Sequence, residues 1–230
     1  MIILALDALD VDQVIKYNCN HLMQQEYGKT DISDFKQART VVLWASFLTG
    51  KNMESQIPIK TQWEFNVKSE QTFLNCFDSY KAIDVPAFSH KSSHIKEREL
   101  LKGYFQEKAT VEEFDDIVWK IHEENKKDFL SAIGKFDIII GYFNLADSIG
   151  HLSFGLDEKM ARVYQELDQL ARRIKDSDES ILIISDHGME AVGRYGDHSK
   201  NGFYSFKQKR GLDLPKITSF YELIRSEIEK

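Results

Sequence analysis

The sequence predicts an α/β fold: a doubly wound, mainly parallel sheet flanked by helices, with one small irregular cap segment. Three observations carry that expectation. Apolar runs at Ile2–Leu6, Phe136–Ala146 and Ile181–Ser185 each run into an aspartate, namely Asp7, Asp147 and Asp186. Unbroken β-branched runs of this kind read as strands buried on both faces. Helix-spaced stretches lie between them, and β–α alternation implies parallel pairing. The carboxyl ends of such strands are where open α/β sheets assemble their sites, so the three aspartates are expected in one crevice.

The elements follow in order. After the first strand, Val11, Val14, Ile15, Leu22 and Met23 fall near helical spacing, which predicts a helix from Val11 to Gln25 closed by Gly28, with Asp10 and Asp12 as capping residues. Residues 40–49 read as a short buried helix with Thr40 as N-cap and Gly50 just past its end. From Lys51 to Gly103 the pattern weakens, with Pro58, Pro86, the polar stretch Ser89–Glu99 and short β-like pieces at 61–67 and 81–85. Residues 51–110 are therefore the expected cap or substrate loop, inside a single domain spanning 1–230. Val111–Ile133 returns to helical spacing, and Lys159–Lys175 reads as a charged amphipathic helix. After Asp186 the glycines 188, 193, 196 and 202 predict a loop-rich return before a terminal helix over 218–229.

Composition narrows the function. With 230 residues, 42% of them hydrophobic, the chain can bury a full core. A net charge of −7 and no long run of Lys or Arg exclude sequence-independent binding to a nucleic-acid polymer, though not a nucleotide substrate. The first apolar run is too short for a signal peptide or a membrane span, so a soluble, cytoplasmic protein with no membrane partner is expected. Cys19 and Cys76 form no C-x-x-C pair and read as reduced thiols.

The chemistry-bearing residues come in close pairs. Asp147 and His151 stand four apart, Asp186 and His187 are adjacent, and His198 follows in Gly-Asp-His-Ser. Residues four apart on a turn share a face and can present an oxygen and a nitrogen to one ion. Three carboxylates and three imidazoles make a shell suited to zinc, manganese or iron rather than calcium or magnesium, and the ligand count fits two ions better than one. Any single aspartate after a strand is ordinarily a cap or turn residue, and a lone histidine beside glycine an ordinary loop residue. Six of them at strand ends of one predicted sheet, two pairs being close, is a pattern that independent caps do not need.

Taken together, Asp147-Ser148-Ile149-Gly150-His151, Ser185-Asp186-His187-Gly188-Met189, Gly196-Asp197-His198-Ser199 and the spaced set Thr40, Trp44, Ser46, Thr49 and Gly50 resemble the alkaline phosphatase superfamily. The branch they resemble is the type I phosphodiesterase and nucleotide pyrophosphatase family. The resemblance covers both ends of the chain in the family's order and leaves about residues 51–110 without a clear counterpart. It implies two divalent ions, zinc expected and manganese the alternative. Asp7, Asp186 and His187 would hold one together with the Thr40 hydroxyl; Asp147, His151 and His198 would hold the other, on the order of 4 Å away. It also implies Thr40 as the nucleophile, passing through a phospho-threonine that water hydrolyses. A helix N-terminus independently favours an anion at that place.

Ser46, the rival nucleophile, faces roughly 240° around the helix from Thr40, and Thr49 lies at the other end; both read as backbone-bonding residues. Asp197 is the expected partner orienting His198. Val42 stands where many relatives have proline, and Gln56-Ile57-Pro58 replaces a His-Gly segment whose relatives follow it with a phosphate-contacting Asn. Asn66 is the residue expected to make that contact here, with Asn52 the other candidate. The piece Ala82–Pro86 with His90 and His94 resembles the family's strand and substrate loop. A further metal site there is disfavoured, because no carboxylate sits at a fixed offset. His21 and His122 read as surface residues of helices.

The leading expectation is a two-metal phosphoester hydrolase acting on a small phosphoester or nucleotide-type substrate, with diesters and pyrophosphates ahead of monoesters. One alternative is a phosphosugar mutase or phosphomonoesterase of the same superfamily, although 230 residues leave little room for the mutases' inserted domain. Another is a non-catalytic, metal-stabilised binding module. Sulfatase chemistry is disfavoured, since no Cys or Ser in a Pro-x-Arg context follows Thr40.

Overall fold

The computed structural model describes residues 1–228. Ile2–Leu6 forms β1, every residue of which is buried. Alternate side chains of a strand point to opposite faces, and here they seed two separate cores. Ile2, Leu4 and Leu6 join one hydrophobic cluster, while Ile3 and Ala5 join the other. A strand covered on both faces must lie inside its sheet, and β1 does.

The remaining elements are α1 (Val11–Lys16), β2 (Glu26–Asp31), α2 (Thr40–Thr49), β3 (Tyr80–Ile83), α3 (Ser93–Tyr104), α4 (Val111–Ala132), β4 (Ile138–Phe143), α5 (Leu145–Ser153), α6 (Asp157–Ile174), β5 (Ile181–Ile184), β6 (Gly188–Val192), β7 (Tyr195–Ser199), β8 (Asn201–Phe206) and α7 (Phe220–Arg225). The six-stranded sheet has the order β2-β8-β5-β1-β4-β3. β1 pairs in parallel with β4 and β5, and β3 in parallel with β4. β8 runs antiparallel to both β5 and β2, so β8, second from one edge, is the reversed strand of a mostly parallel sheet and the edge strand β2 runs with the others. Helices α4, α5 and α6 supply one core, and α2 and α7 the other.

Several expectations need correction. α1 stops at Lys16 rather than near Gln25: Asn18 takes a left-handed conformation at φ 55°, and Asp168 of α6 accepts the amides of His21 and Leu22 at 2.7 and 3.1 Å. A tertiary carboxylate thus takes amides that a longer helix would need. Gly28 lies within β2 opposite Tyr204, where a Cβ would meet the tyrosine ring at 3.1 Å. Residues 61–67 hold no strand, since Ile59–Glu64 is a 3-10 turn. The stretch after Asp186 is the hairpin β6–β7 followed by β8, not a loop, and Gly193 makes the hairpin turn at φ 64°. The last helix is shorter than expected, Phe220–Arg225, and residue 229 lies outside the described residues.

Thr40 is the first residue of α2 rather than its N-cap, which is Arg39, and Gly50 closes the helix in the left-handed region at φ 68°. No side chain caps that N-terminus. Among the described residues no helix is long and apolar enough to cross a membrane.

Candidate active site

Four ends converge. Asp7 follows β1, and its amide is held by the carbonyl of Phe143 at 2.9 Å. Asp186 and His187 follow β5, Asp147 and His151 lie one turn apart on α5, and His198 comes from β7. The turns after β1 and β5 are tied through Ser185, whose hydroxyl accepts from the Leu9 amide at 2.9 Å and donates to the His187 carbonyl at 2.6 Å.

The result is two adjoining groups of ligand atoms. In the first, His187 Nε2 stands 3.2 Å from Asp7 Oδ1 and 3.5 Å from Asp186 Oδ2. In the second, Asp147 Oδ1 stands 3.1 Å from His198 Nε2 and 3.4 Å from His151 Nε2, and the two imidazole nitrogens are 3.3 Å apart. The His187 and His198 rings stack at 3.9 Å and join the groups, so His187 reaches Asp147 and His198 as well as its own partners. Ligands about 2.0–2.2 Å from a tetrahedral ion lie roughly 3.3–3.6 Å from one another, and most of these separations are of that size.

Each imidazole is set from behind by a backbone carbonyl. His198 Nδ1 meets the Ala38 carbonyl at 2.7 Å, His187 Nδ1 the Gly188 carbonyl at 3.0 Å, and His151 Nδ1 the Gly196 carbonyl at 3.4 Å. A carbonyl can only accept, so Nδ1 carries a proton and Nε2 is the nitrogen aimed inward, able to ligate a cation once any second proton is displaced, the arrangement found behind metal-binding histidines. On the other side, Asp7 Oδ1, Asp147 Oδ1, both Asp186 oxygens and His187 Nε2 are buried with no hydrogen-bond partner among the described residues. Orphaned buried ligand atoms are costly. A divalent cation, or two, fits this donor set and would satisfy them.

The electrostatics agree. Burial, then the nearby Asp147 carboxylate, pushes Asp7 up to about 7. Burial and the charge of Asp7 raise Asp186 well above the usual carboxylate range. Burial and His198 depress His187 to about 3. Burial also works against the charged forms of Asp147 and His198, but their contact wins: Asp147 is held well below its ordinary range by His151 and His198, and His198 rises to about 9 beside Asp147. His151 is raised mainly by the Asp147 charge. Without a cation the Asp7 and Asp186 carboxyls hold their protons more tightly than usual. Cationic charge there would displace those protons.

Thr40 lies beside this centre through the chain itself, since Ala38, which orients His198, is two residues before it. Its side chain is nearly buried. Ser46 donates to the Val42 carbonyl at 2.7 Å and accepts the Met53 amide at 3.0 Å, and Thr49 donates to the Ala45 carbonyl at 2.8 Å. Both hydroxyls are committed to backbone. Asp197 accepts the amide of His198 at 2.8 Å, so the ring is oriented by Ala38 instead. Asn66 is exposed and donates to the Glu64 carbonyl at 3.4 Å, while Asn52 donates to the Asp34 carbonyl at 3.1 Å. Neither amide bonds to a residue of the site.

Sequence reasoning missed Tyr142, whose hydroxyl donates to Asp7 Oδ2. Its one sequence signal is position: it precedes the last residue of β4, in register with Ala5 beside the end of β1. Missed too was the support beneath α5. His94 lies between Asp84, 2.8 Å from its Nε2, and Glu97, 2.5 Å from its Nδ1, and Glu97 accepts from Asn144 and Ser148 on either side of the start of α5. The carboxylate partners thought lacking for His94 are therefore present, Glu97 one turn along α3 and Asp84 from beyond β3. They clamp an imidazolium, raised to about 9 by the two carboxylates against the cost of its burial. His122 is likewise buried, 3.1 Å from Glu166, and His21 sits in a turn rather than a helix.

Residues 57–204 match the family described as type I phosphodiesterase / nucleotide pyrophosphatase. GPI ethanolamine phosphate transferase 3 of Saccharomyces cerevisiae is 29% identical over 104 residues, which cover 42% of this chain and 10% of the yeast protein. In structure, the chain is similar to murine ectonucleotide pyrophosphatase / phosphodiesterase 5 bound to AMP, with TM-score 0.50, 13% identity, and coverage of 84% of this chain and 58% of that one. It is also similar to the Streptococcus pyogenes phosphoglycerol transferase GacH bound to sn-glycerol-1-phosphate, with TM-score 0.52, 12% identity, and coverage of 98% and 74%. The chain thus spans a tenth of the yeast relative and under two thirds of the murine one. At such identities the structural likeness concerns the fold, a mixed, mostly parallel sheet of the alkaline phosphatase kind. By its sequence match over more than half its length, the chain belongs to the type I phosphodiesterase / nucleotide pyrophosphatase family.

Proposed function

We propose that the chain is a metal-dependent phosphoester hydrolase of the phosphodiesterase or nucleotide pyrophosphatase type, with Thr40 as nucleophile. The observation that carries this reading is the set of inward-facing His Nε2 atoms and orphaned carboxylate oxygens beside the uncapped start of α2. Asp7, Asp186 and His187 would hold one divalent ion and Asp147, His151 and His198 a second, zinc being favoured and manganese the alternative by the mixed oxygen and nitrogen set. Such ions, when bound, supply charge that stabilises the entering and leaving oxygens of an in-line displacement.

The chain's own residues do the rest. Thr40 Oγ1 attacks phosphorus, the bond to the leaving alcohol or phosphate breaks, and water later cleaves the phospho-threonine. The first intrahelical bond of α2 runs from the Leu43 amide to the Arg39 carbonyl, leaving the preceding amides to face phosphoryl oxygens. Tyr142 holds Asp7 through Oδ2 and leaves Oδ1 turned toward the site. The Asp7, Asp186 and His187 side chains are fully buried, whereas Asp147, His151 and His198 keep some solvent contact, so substrate enters from the α5 and β7 side.

The test is hydrolysis of bis-p-nitrophenyl phosphate against p-nitrophenyl phosphate by chelated protein, with zinc or manganese restored. Diester turnover that returns with metal and vanishes in Thr40→Ala supports the reading; full activity in that variant, with metal bound normally, overturns it. A second reading is transfer of the phosphoryl-linked group to an alcohol rather than to water, favoured by the transferase names of the yeast relative and of GacH. Product partition towards an added alcohol such as glycerol distinguishes the two.

A further inference from the structure

The cap segment builds a column of stacked rings against the site. His94 and His90 stack at 4.2 Å with an interplanar angle of 11°, His90 and Trp63 at 5.6 Å and 21°, and the Arg98 guanidinium lies 4.3 Å from the centre of the Trp63 ring. His94 and Arg98 stand one turn apart on α3, so one helix supplies both the base and the tip. The base is rigid, because His94 is clamped between Asp84 and Glu97. The rings of His90 and His94 meet the Tyr142 ring at 6.2 and 6.5 Å, and the Tyr142 hydroxyl bonds to Asp7. The column therefore stands on the residue that holds the reaction centre.

Its tip has no partner of its own. Arg98 is half-buried, yet it makes no hydrogen bond or ion pair among the described residues. Its neighbour Glu97 is committed to His94, Asn144 and Ser148, and nearby Lys91 is committed to Asn125 and Asp128. Burial, the largest influence, weakens the guanidinium's hold on its proton, and the charge of the neighbouring Glu97 opposes that. A chain with net charge −7 and three aspartates at its centre is unfavourable to anions. A fixed cation on the approach offsets that repulsion for a ligand able to reach it.

We propose that Arg98, held over the Trp63 ring, is a binding subsite for a second phosphate-type group of the substrate, one other than the phosphoryl group attacked at Thr40. The planar guanidinium presents a fork of N–H donors that matches phosphate oxygens in pairs, and the contact with the Trp63 ring holds it without using those donors. The substrates selected are phosphoanhydride esters and other doubly phosphorylated molecules over simple diesters. This substrate class rests on the function proposed above; the anion site itself does not.

The test separates the two. Inorganic pyrophosphate is titrated into the full chain stripped of metal, so that anions cannot report on the metal centre, and tryptophan fluorescence is followed. A saturable change is expected in the native chain and in the control Lys96→Gln, an exposed cation on the same helix. Arg98→Gln should weaken it by about tenfold or more, and Trp63→Phe should remove the signal, leaving Trp44 and Trp119 silent. An unchanged titration in Arg98→Gln, no saturation in the native chain, or equal binding of malonate overturns the phosphate subsite. With metal restored, Arg98→Gln should lower the preference for a nucleoside-diphosphate ester over bis-p-nitrophenyl phosphate; an unchanged ratio overturns the substrate class. Absence of all metal-dependent turnover, with the fluorescence titration intact, counts against the hydrolase reading and not against the anion site.

Discussion

Replacing His94 by glutamine removes the imidazolium between Asp84 and Glu97, and the pH dependence of stability reports on it. His94 rises from 6.5 to about 9 in the folded chain, burial opposing and the two carboxylates prevailing. A folded value above the unfolded one means that the contribution is fully present below pH 6.5 and is lost as pH rises through about 9. At about 1.4 kcal/mol per pH unit the difference corresponds to roughly 3 kcal/mol, an order of magnitude for a clamped, buried group. Urea unfolding at about pH 6 and about pH 9.5 measures it, in the chain held free of metal. The native chain should lose roughly 2–3 kcal/mol more than His94→Gln across that interval. Equal slopes in the two proteins would refute the imidazolium clamp and leave His94 as a neutral packing residue.

Three further outcomes follow from the same geometry. Tyr142→Phe removes the donor to Asp7 Oδ2 and should weaken metal affinity about 10- to 100-fold while sparing the fold, read by calorimetric titration; unchanged affinity would show that the tyrosine does not orient Asp7. Gly202→Ala places a Cβ 2.3 Å from the Ser185 carbonyl, so a cost of about 1–3 kcal/mol is expected in urea unfolding, and a neutral effect would mean that β8 gives way freely there. Saturating metal, at about 100 times its Kd, should add roughly 2.7 kcal/mol of stability. Asp186→Asn should abolish most of that gain; a variant stabilised as much as the native chain would remove Asp186 from the ligand set.

Local patterns made the architecture readable. Ile2–Leu6, the run through Ile138–Phe143 and Ile181–Ile184 are strands because their side chains are apolar on both faces, and that is a property of the residues themselves. The helix closed by Gly50 was equally visible, since only glycine enters the left-handed region there without strain. Residues 17–25 were misread because Asp168, about 150 positions away, captures the amides that a helix would use. The hairpin and β8 were misread because four glycines resemble a loop. Gly202 instead lets β8 approach Ser185, a contact between strands that no local window contains.

The sequence by itself determined the kinds of ligand atom and their pairing: Asp147 with His151 four residues on, and Asp186 beside His187. Tertiary structure decided everything about how those atoms are held. Ala38 orients His198, Tyr142 takes one oxygen of Asp7, and Glu97 braces the start of α5, all across separations of 47 residues or more between partners. The physical reason is that a ligand's identity is covalent and local, whereas its direction, charge state and partners come from groups that meet it only after the chain has folded.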